Sequence, residues 1–249
     1  GVEPNGRNIN DNCGALRPES LKEKVLLYKA DLGLAFDGDA DRLTVVDSRG
    51  KIVDGDQIMA ICALKMLRDN RLKSGVLVAT IMSNMGLDIA IEQAGGKVIR
   101  TQVGDRYVVE KMRDGDYTLG GEQSGHLIFR DSSTTGDGVL AGLKLLEILV
   151  DSGQSISELS MSMTPLPQVL KNFRVRKRVP IEGLPRLSNL ISQIESSLGS
   201  RGRVVFRYSG TESLARVMIE GDDAKQITQY ADDIIKLAEI ELNSIEGNR

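Results

Sequence analysis

An α/β fold continued by a smaller α+β unit is predicted for this chain, on two observations. From residue 18 to about residue 150, strand-length apolar runs alternate with helical patterns, the order that builds an α/β sandwich on a largely parallel sheet. After MTPLPQV (163–169), with two of the six prolines, the order becomes strand, helix, two strands and a last helix.

The elements follow in order. A helical pattern from Pro18 to Lys29 runs into the apolar strand Leu32–Phe36, which stops at an acidic loop before a second strand, Leu43–Asp47. Gly55 to Leu72 reads as a helix with apolar residues on nearly every face, as expected of burial between layers. The strand Val76–Thr80 comes next, then a helix capped by Asn84 and ended by Gly95-Gly96, then the strand Val98–Thr101. A helix over Asp105–Arg113, strands over Tyr117–Gly120 and Leu127–Phe129, and a helix over Gly138–Val150 complete the larger unit. The smaller unit takes a strand over Gln168–Val175, a helix over Leu187–Leu198, two strands around RYSGTES and a helix over Asp223–Ile245. That last helix buries one face through Ile227, Ala231, Ile234, Ala238, Leu242 and Ile245.

Composition narrows the partners. The 249 residues carry 32 Lys+Arg against 35 Asp+Glu, a net charge of −3, so the surplus of basic residues that nucleic acid or an anionic membrane surface demands is absent. The apolar stretch Ile58–Leu64 is far below the roughly 20 residues of a membrane span. Two cysteines, Cys13 and Cys62, make neither a zinc site nor a disulfide framework, which points to a reducing, cytoplasmic setting. The chain opens at Gly1 with neither Met nor a signal-peptide pattern, so the true N-terminus is expected upstream.

Three loops carry chemistry. In LGLAFDGDADR, Asp37, Asp39 and Asp41 alternate directly after a buried strand, and a loop curling at Gly38 turns them toward one point where a hard divalent cation such as Mg²⁺ fits. The bland alternative is a solvated acidic turn. An EF-hand starting at Asp37 fails, because Arg42 and Ser48 stand where Gly and Glu are required. A haloacid-dehalogenase-type phosphatase, with Asp222 and Asp223 as a downstream pair, remains a lesser alternative against which the third Asp speaks.

GGEQSGH (120–126) joins two strands; Glu122 and Ser124 can exchange hydrogen bonds with vicinal hydroxyls, although a plain glycine-rich hairpin reads equally well. His126, the one histidine, is either a structural hydrogen-bonding residue or a proton shuttle. In RYSGTESLAR, Arg207, Ser209, Gly210, Thr211 and Arg216 can surround a phosphate dianion with guanidinium groups, hydroxyls and turn amides, with ordinary turn chemistry as the alternative. Asp105 and Arg106 in VGDRYV serve helix capping or a ligand contact.

Taken together and in this order, DGDADR, GEQSG and RYSGTE resemble the α-D-phosphohexomutases over essentially the whole chain. PNGRNINDNCGA, TIMSNMGLD, VGDRYVVEKM and Gln123 within GGEQSGH are most similar to the branch that acts on glucosamine phosphates.

The resemblance implies phosphohexomutase-type three-layer α/β domains followed by a small α+β domain. Residues 1–53 would be the end of domain two with the metal loop, 54–166 domain three with the sugar loop, and 167–249 domain four with the phosphate loop. It implies Mg²⁺ on Asp37, Asp39 and Asp41, with Arg42 closing the metal loop. Glu122 and Ser124 would lie on sugar hydroxyls, His126 would be an acid/base, and Arg207–Thr211 would hold the non-reacting phosphate. The implied reaction interconverts glucosamine 6-phosphate and glucosamine 1-phosphate through a bisphosphate, by way of an enzyme phosphoserine, with a phosphomannomutase/phosphoglucomutase of the same superfamily or a non-catalytic phosphosugar-binding fragment as the alternatives. That serine stands before a histidine in the family, and this chain contains no Ser-His pair, so the chain alone is expected to be inactive.

Overall fold

The computed structural model describes residues 5–209 and 212–244. The chain divides into two compact units, one ending at Thr164 and the other starting at Pro165.

The first unit opens with helix α1 (Glu19–Tyr28), stopped by Lys29 in the left-handed conformation. Strands β1 (Leu32–Phe36), β2 (Leu43–Asp47) and β3 (Ile52–Val53) then pair in that order. All the pairing here is antiparallel, Leu32 opposite Asp47 and Phe36 opposite Leu43, which corrects the expectation of a largely parallel sheet for this part. The reason is chain length: the connections 37–42 and 48–51 suit hairpins and are too short for the crossover that a parallel pair needs. The two-residue β3 has no periodicity from which to predict it.

Helix α2 (Gly55–Arg68) is capped by Asp54, whose side chain accepts from the Gln57 amide, and every residue from Gly55 to Ala63 is buried. It ends before the expected Leu72, because Asn70 turns left-handed and Leu72 packs into the core from the turn. Next come β4 (Val76–Thr80), α3 (Met85–Gln93), β5 (Lys97–Thr101), α4 (Asp105–Asp114), β6 (Leu119–Gly121), β7 (Leu127–Phe129), α5 (Gly138–Ser152) and a short α6 (Ile156–Leu159). Asn84 caps α3 as its position predicts, accepting from the Gly86 amide.

The sheet runs β5-β4-β6-β7, parallel except for the β6–β7 hairpin. Its two faces bury alternate residues: Leu77 and Ala79 join Ile58, Leu87, Ile91 and Leu145, whereas Val76 and Val78 pack with Val108 and Met112 of α4. Helices on both faces make three layers. The larger core also takes in Leu43, Val45 and Val53, so β2 and β3 share it.

The second unit contains β8 (Gln168–Arg174), α7 (Pro185–Leu198), β9 (Arg203–Tyr208), β10 (Leu214–Glu220) and α8 (Ala224–Ser244). Its antiparallel sheet has the order β8-β10-β9. Phe173, Ala215, Val217 and Ile219 form one sheet face, which packs on Leu187 and Ile194 of α7 and on Ile227, Ala231, Ile234 and Ala238 of α8. These are the α8 positions that the spacing predicts, with Leu242 partly buried beside them; Ile245 lies outside the described residues. The buried Glu241 carboxylate accepts the Arg186 and Leu187 amides at 3.1 and 2.9 Å, so α8 satisfies the open first turn of α7.

Candidate functional site

The acidic loop leaves β1 at a sheet end and returns into β2 within six residues, 37–42, with Ala40 left-handed at its tip. That curl brings one carboxylate oxygen each of Asp37, Asp39 and Asp41 within 4.8 Å of one another. Asp37 is anchored by the Arg42 amide at 3.1 Å, and the Arg42 guanidinium lies 3.7 Å from Asp37 and 3.9 Å from Asp41. Asp41 Oδ1 is buried with no hydrogen-bond partner among the described residues. Three carboxylates this close repel unless a cation sits among them, and an unsatisfied oxygen wants one, so the donor set suits a hard divalent ion.

His126 stands behind this loop. It is 4% exposed, and its Nδ1 lies 2.9 Å from Asp41 Oδ2. A carboxylate only accepts, so Nδ1 carries the hydrogen; Nε2 is buried without a hydrogen-bond partner among the described residues, and the ring packs on Gly136. A β-bridge between Arg42 and His126 and the Leu43 amide donating to Gly125 O (3.0 Å) join the acidic loop to the β6–β7 hairpin.

In that hairpin, Glu122 Oε1 accepts the Gly104 amide at 3.0 Å and Glu122 Oε2 accepts the Ser124 hydroxyl at 3.3 Å. Gly125 takes φ +90, and a Cβ there would lie 2.0 Å from Leu43 O, so this position requires glycine. Thr80, Met82, Val103, Glu122, Gln123 and Ser124 line a pocket of about 260 Å³. The carboxylate and hydroxyl are thus already oriented at a concave surface.

Asp105 and Arg106 are placed less pointedly. Asp105 opens α4 and accepts the Arg106 amide at 2.8 Å; Arg106 is exposed and pairs along its own helix with Glu110 at 2.9 Å. Both have partners within α4.

In the second unit, Arg207 and Arg216 stand directly opposite on β9 and β10. Each has a buried Nε with no hydrogen-bond partner among the described residues, and Arg216 also reaches Glu212 at 3.3 Å. Burial first, and then the charge of Arg216, pull the Arg207 pKa below the ordinary arginine value. Like charges opposite each other on a sheet repel, and an anion between them relieves both burdens. Ser209 is buried, with its Oγ accepting the Glu212 amide at 3.2 Å; Gly210 and Thr211 lie outside the described residues.

The sequence reading passed over a polar cluster in which the buried Asp56, Ser83 and Asn84 meet the partly buried Arg100. Its visible signal is a second Asp-Gly-Asp, at 54–56, which lies at a helix start and not in a loop.

The family described as phosphoglucomutase/phosphomannomutase, alpha/beta/alpha domain III, matches residues 54–166, and the C-terminal domain of the same family matches 170–237. The chain belongs to the phosphoglucomutase/phosphomannomutase family. Among relatives, it is 54% identical over 246 residues to a phosphoglucosamine mutase of Geotalea uraniireducens, covering 99% of this chain and 54% of that protein. It is 56% identical over 237 residues to one of Pelobacter propionicus, covering 95% and 52%. The chain thus spans about half the length of the curated relatives it matches.

Solved structures share the fold. A Burkholderia thailandensis protein of the family aligns with a TM-score of 0.74 at 21% identity, covering 91% of this chain and 50% of that one. Aspergillus fumigatus N-acetylphosphoglucosamine mutase, solved with GlcNAc-6P and magnesium, aligns with a TM-score of 0.73 at 20% identity, covering 92% and 57%.

Proposed function

We propose that this chain forms the metal, sugar and phosphate loops of a phosphoglucosamine mutase, which interconverts glucosamine 6-phosphate and glucosamine 1-phosphate through a bisphosphate. The observation that carries the reading is the identity above 50% to phosphoglucosamine mutases along nearly the whole chain, together with pre-oriented donors at each loop.

The domain assignment proposed with it is 1–53 for the end of domain two, 54–166 for domain three and 167–249 for domain four. The setting proposed is cytoplasmic, with a phosphosugar as partner and neither nucleic acid nor membrane. Among the described residues no helix is long and apolar enough to cross a membrane.

In this reading Asp37, Asp39 and Asp41 hold Mg²⁺, which when bound offsets the charge on the transferring phosphoryl group. Arg42 neutralises the loop from the protein side. His126 orients Asp41 through Nδ1–H, and its burial supports this role over that of a proton shuttle in open solvent. Glu122 and Ser124 read the sugar hydroxyls. Arg207, Ser209, Gly210, Thr211 and Arg216 hold the phosphate that does not react, and Asp105 and Arg106 are further substrate-binding residues. Because the chain has no Ser-His pair, the phosphoserine is not among its residues, and it binds substrate without turning it over.

Calorimetric titration of glucosamine 6-phosphate, mannose 6-phosphate and inorganic phosphate tests the reading. Arg207→Ala is expected to weaken all of them alike, by about 1–3 kcal/mol for a lost charge-assisted bond. Glu122→Ala is expected to weaken the sugar phosphates according to their hydroxyl pattern and to spare inorganic phosphate. Wild-type affinity in Arg207→Ala would reduce the phosphate loop to a turn.

A further inference from the structure

The first turn of α2 touches both walls of the pocket. On one side Gly55 lies against the hairpin: its amide donates to Gln123 O at 3.1 Å, and a Cβ there would fall 2.4 Å from Glu122 O. On the other side the Asp56 carboxylate accepts the Asn84 amide at 2.8 Å. Asn84 ends the segment Ile81–Asn84, which leaves the C-terminal end of β4 and supplies Met82 to the pocket. Arg100 of β5 grips the same segment from its carbonyl side, donating to Thr80 O at 2.9 Å and Ser83 O at 2.8 Å while pairing with Asp88. Consecutive residues of one helical turn therefore hold the Glu122–Ser124 wall and the Thr80–Met82 wall.

Asp56 is a costly choice for this task. It is fully buried, and burial followed by the charge of Asp54 pushes its pKa up to about 7; the Asn84 amide, the Ser83 hydroxyl and the charge of Arg100 act in the opposite direction. A buried carboxylate facing a backbone amide and a neighbouring carboxylate lowers stability relative to a neutral residue of the same shape. It stays useful because its carboxylate holds the Asn84 backbone amide at the end of the segment that carries Met82 into the pocket.

We propose that Asp56 is a positioning residue of the pocket: through the Asn84 amide it fixes the Ile81–Asn84 wall against the Glu122–Ser124 wall, and so sets the spacing that a phosphosugar's hydroxyls must match. The sugar half of this statement rests on the functional reading above; the positioning half does not. Asp56 touches no substrate and acts through the segment it holds.

The test uses the full chain with Asp56→Asn, which keeps an acceptor of the same shape, and Asp56→Ala and Asp56→Leu, which remove it. Either acceptor-free variant suffices if the other fails to fold. Two quantities are read: hydrogen exchange of peptides covering 81–84 without ligand, and affinity for glucosamine 6-phosphate and inorganic phosphate. The acceptor-free variants are expected to exchange over 81–84 about tenfold faster and to bind the sugar phosphate about tenfold more weakly, as the loss of one buried hydrogen bond implies. Inorganic phosphate affinity should stay unchanged and Asp56→Asn should restore both readouts. Wild-type exchange over 81–84 in the acceptor-free variants overturns the positioning role whatever the sugar does. Faster exchange with undiminished sugar affinity overturns the link to the pocket. If the wild type binds inorganic phosphate but no sugar phosphate while exchange still responds, the functional reading fails and the positioning role stands.

Discussion

In the folded chain Asp56 keeps its proton until about pH 7, whereas in the unfolded chain it releases it near the ordinary aspartate value of 3.8. Between those limits the native state binds the extra proton, so stability falls as pH rises, by up to about 1.4 kcal/mol per pH unit for one proton. Asp54, also pushed up by burial, titrates with it as a coupled pair. Asp56→Asn lacks this loss. The melting temperature of Asp56→Asn minus that of wild type should therefore be smallest near pH 4 and widen toward pH 8, at roughly 2–4 °C per kcal/mol for a chain of this size. Calorimetry across that range decides it, and a difference independent of pH would mean that Asp56 is ionised throughout. Single residues of this kind were hard to read in advance. The three alternating carboxylates after an apolar strand announce their convergence by spacing, whereas Asp56 looks like an ordinary first-turn acid until burial is known.

At the level of elements, the hairpin β6–β7 is held by a backbone-to-backbone approach at Gly125. Gly125→Ala meets both a left-handed φ and the Leu43 carbonyl, and is expected to cost about 1–3 kcal/mol or more. The loss would be measured by urea denaturation, and Gly153→Ala, a left-handed glycine with open space around it, separates clash from φ strain alone. Most elements were legible because their periodicity was strong: α2 is apolar on nearly every face and is buried from Gly55 to Ala63, and α8 buries the residues its spacing picks out. Strand direction was not legible in the first 53 residues, since apolar runs look alike whether parallel or antiparallel and only the short connections tell them apart. Nor was the role of the hairpin as the backing of the acidic loop, because the Arg42–His126 bridge joins residues 84 positions apart.

For the whole chain, the buried apolar clusters fall separately on either side of Thr164–Pro165, two in the first unit and one in the second, and the proline-bearing stretch marks that boundary in the sequence. The division into two units was legible because the order of strands and helices changes after the proline-bearing stretch. How far α2 lies inside the first core, with Cys62 1% exposed, followed only from seeing which layers cover it. That burial has a consequence for thiol chemistry. Disulfide reagents attack the thiolate, and burial pushes the Cys62 thiol up to about 12, while Cys13 is only half-buried. A native sample treated with an aromatic disulfide reagent at pH 8 should release one equivalent of chromophore promptly, and the second only as α2 leaves its core. The slow equivalent then clocks the opening of the first unit alone, since the second unit carries no thiol.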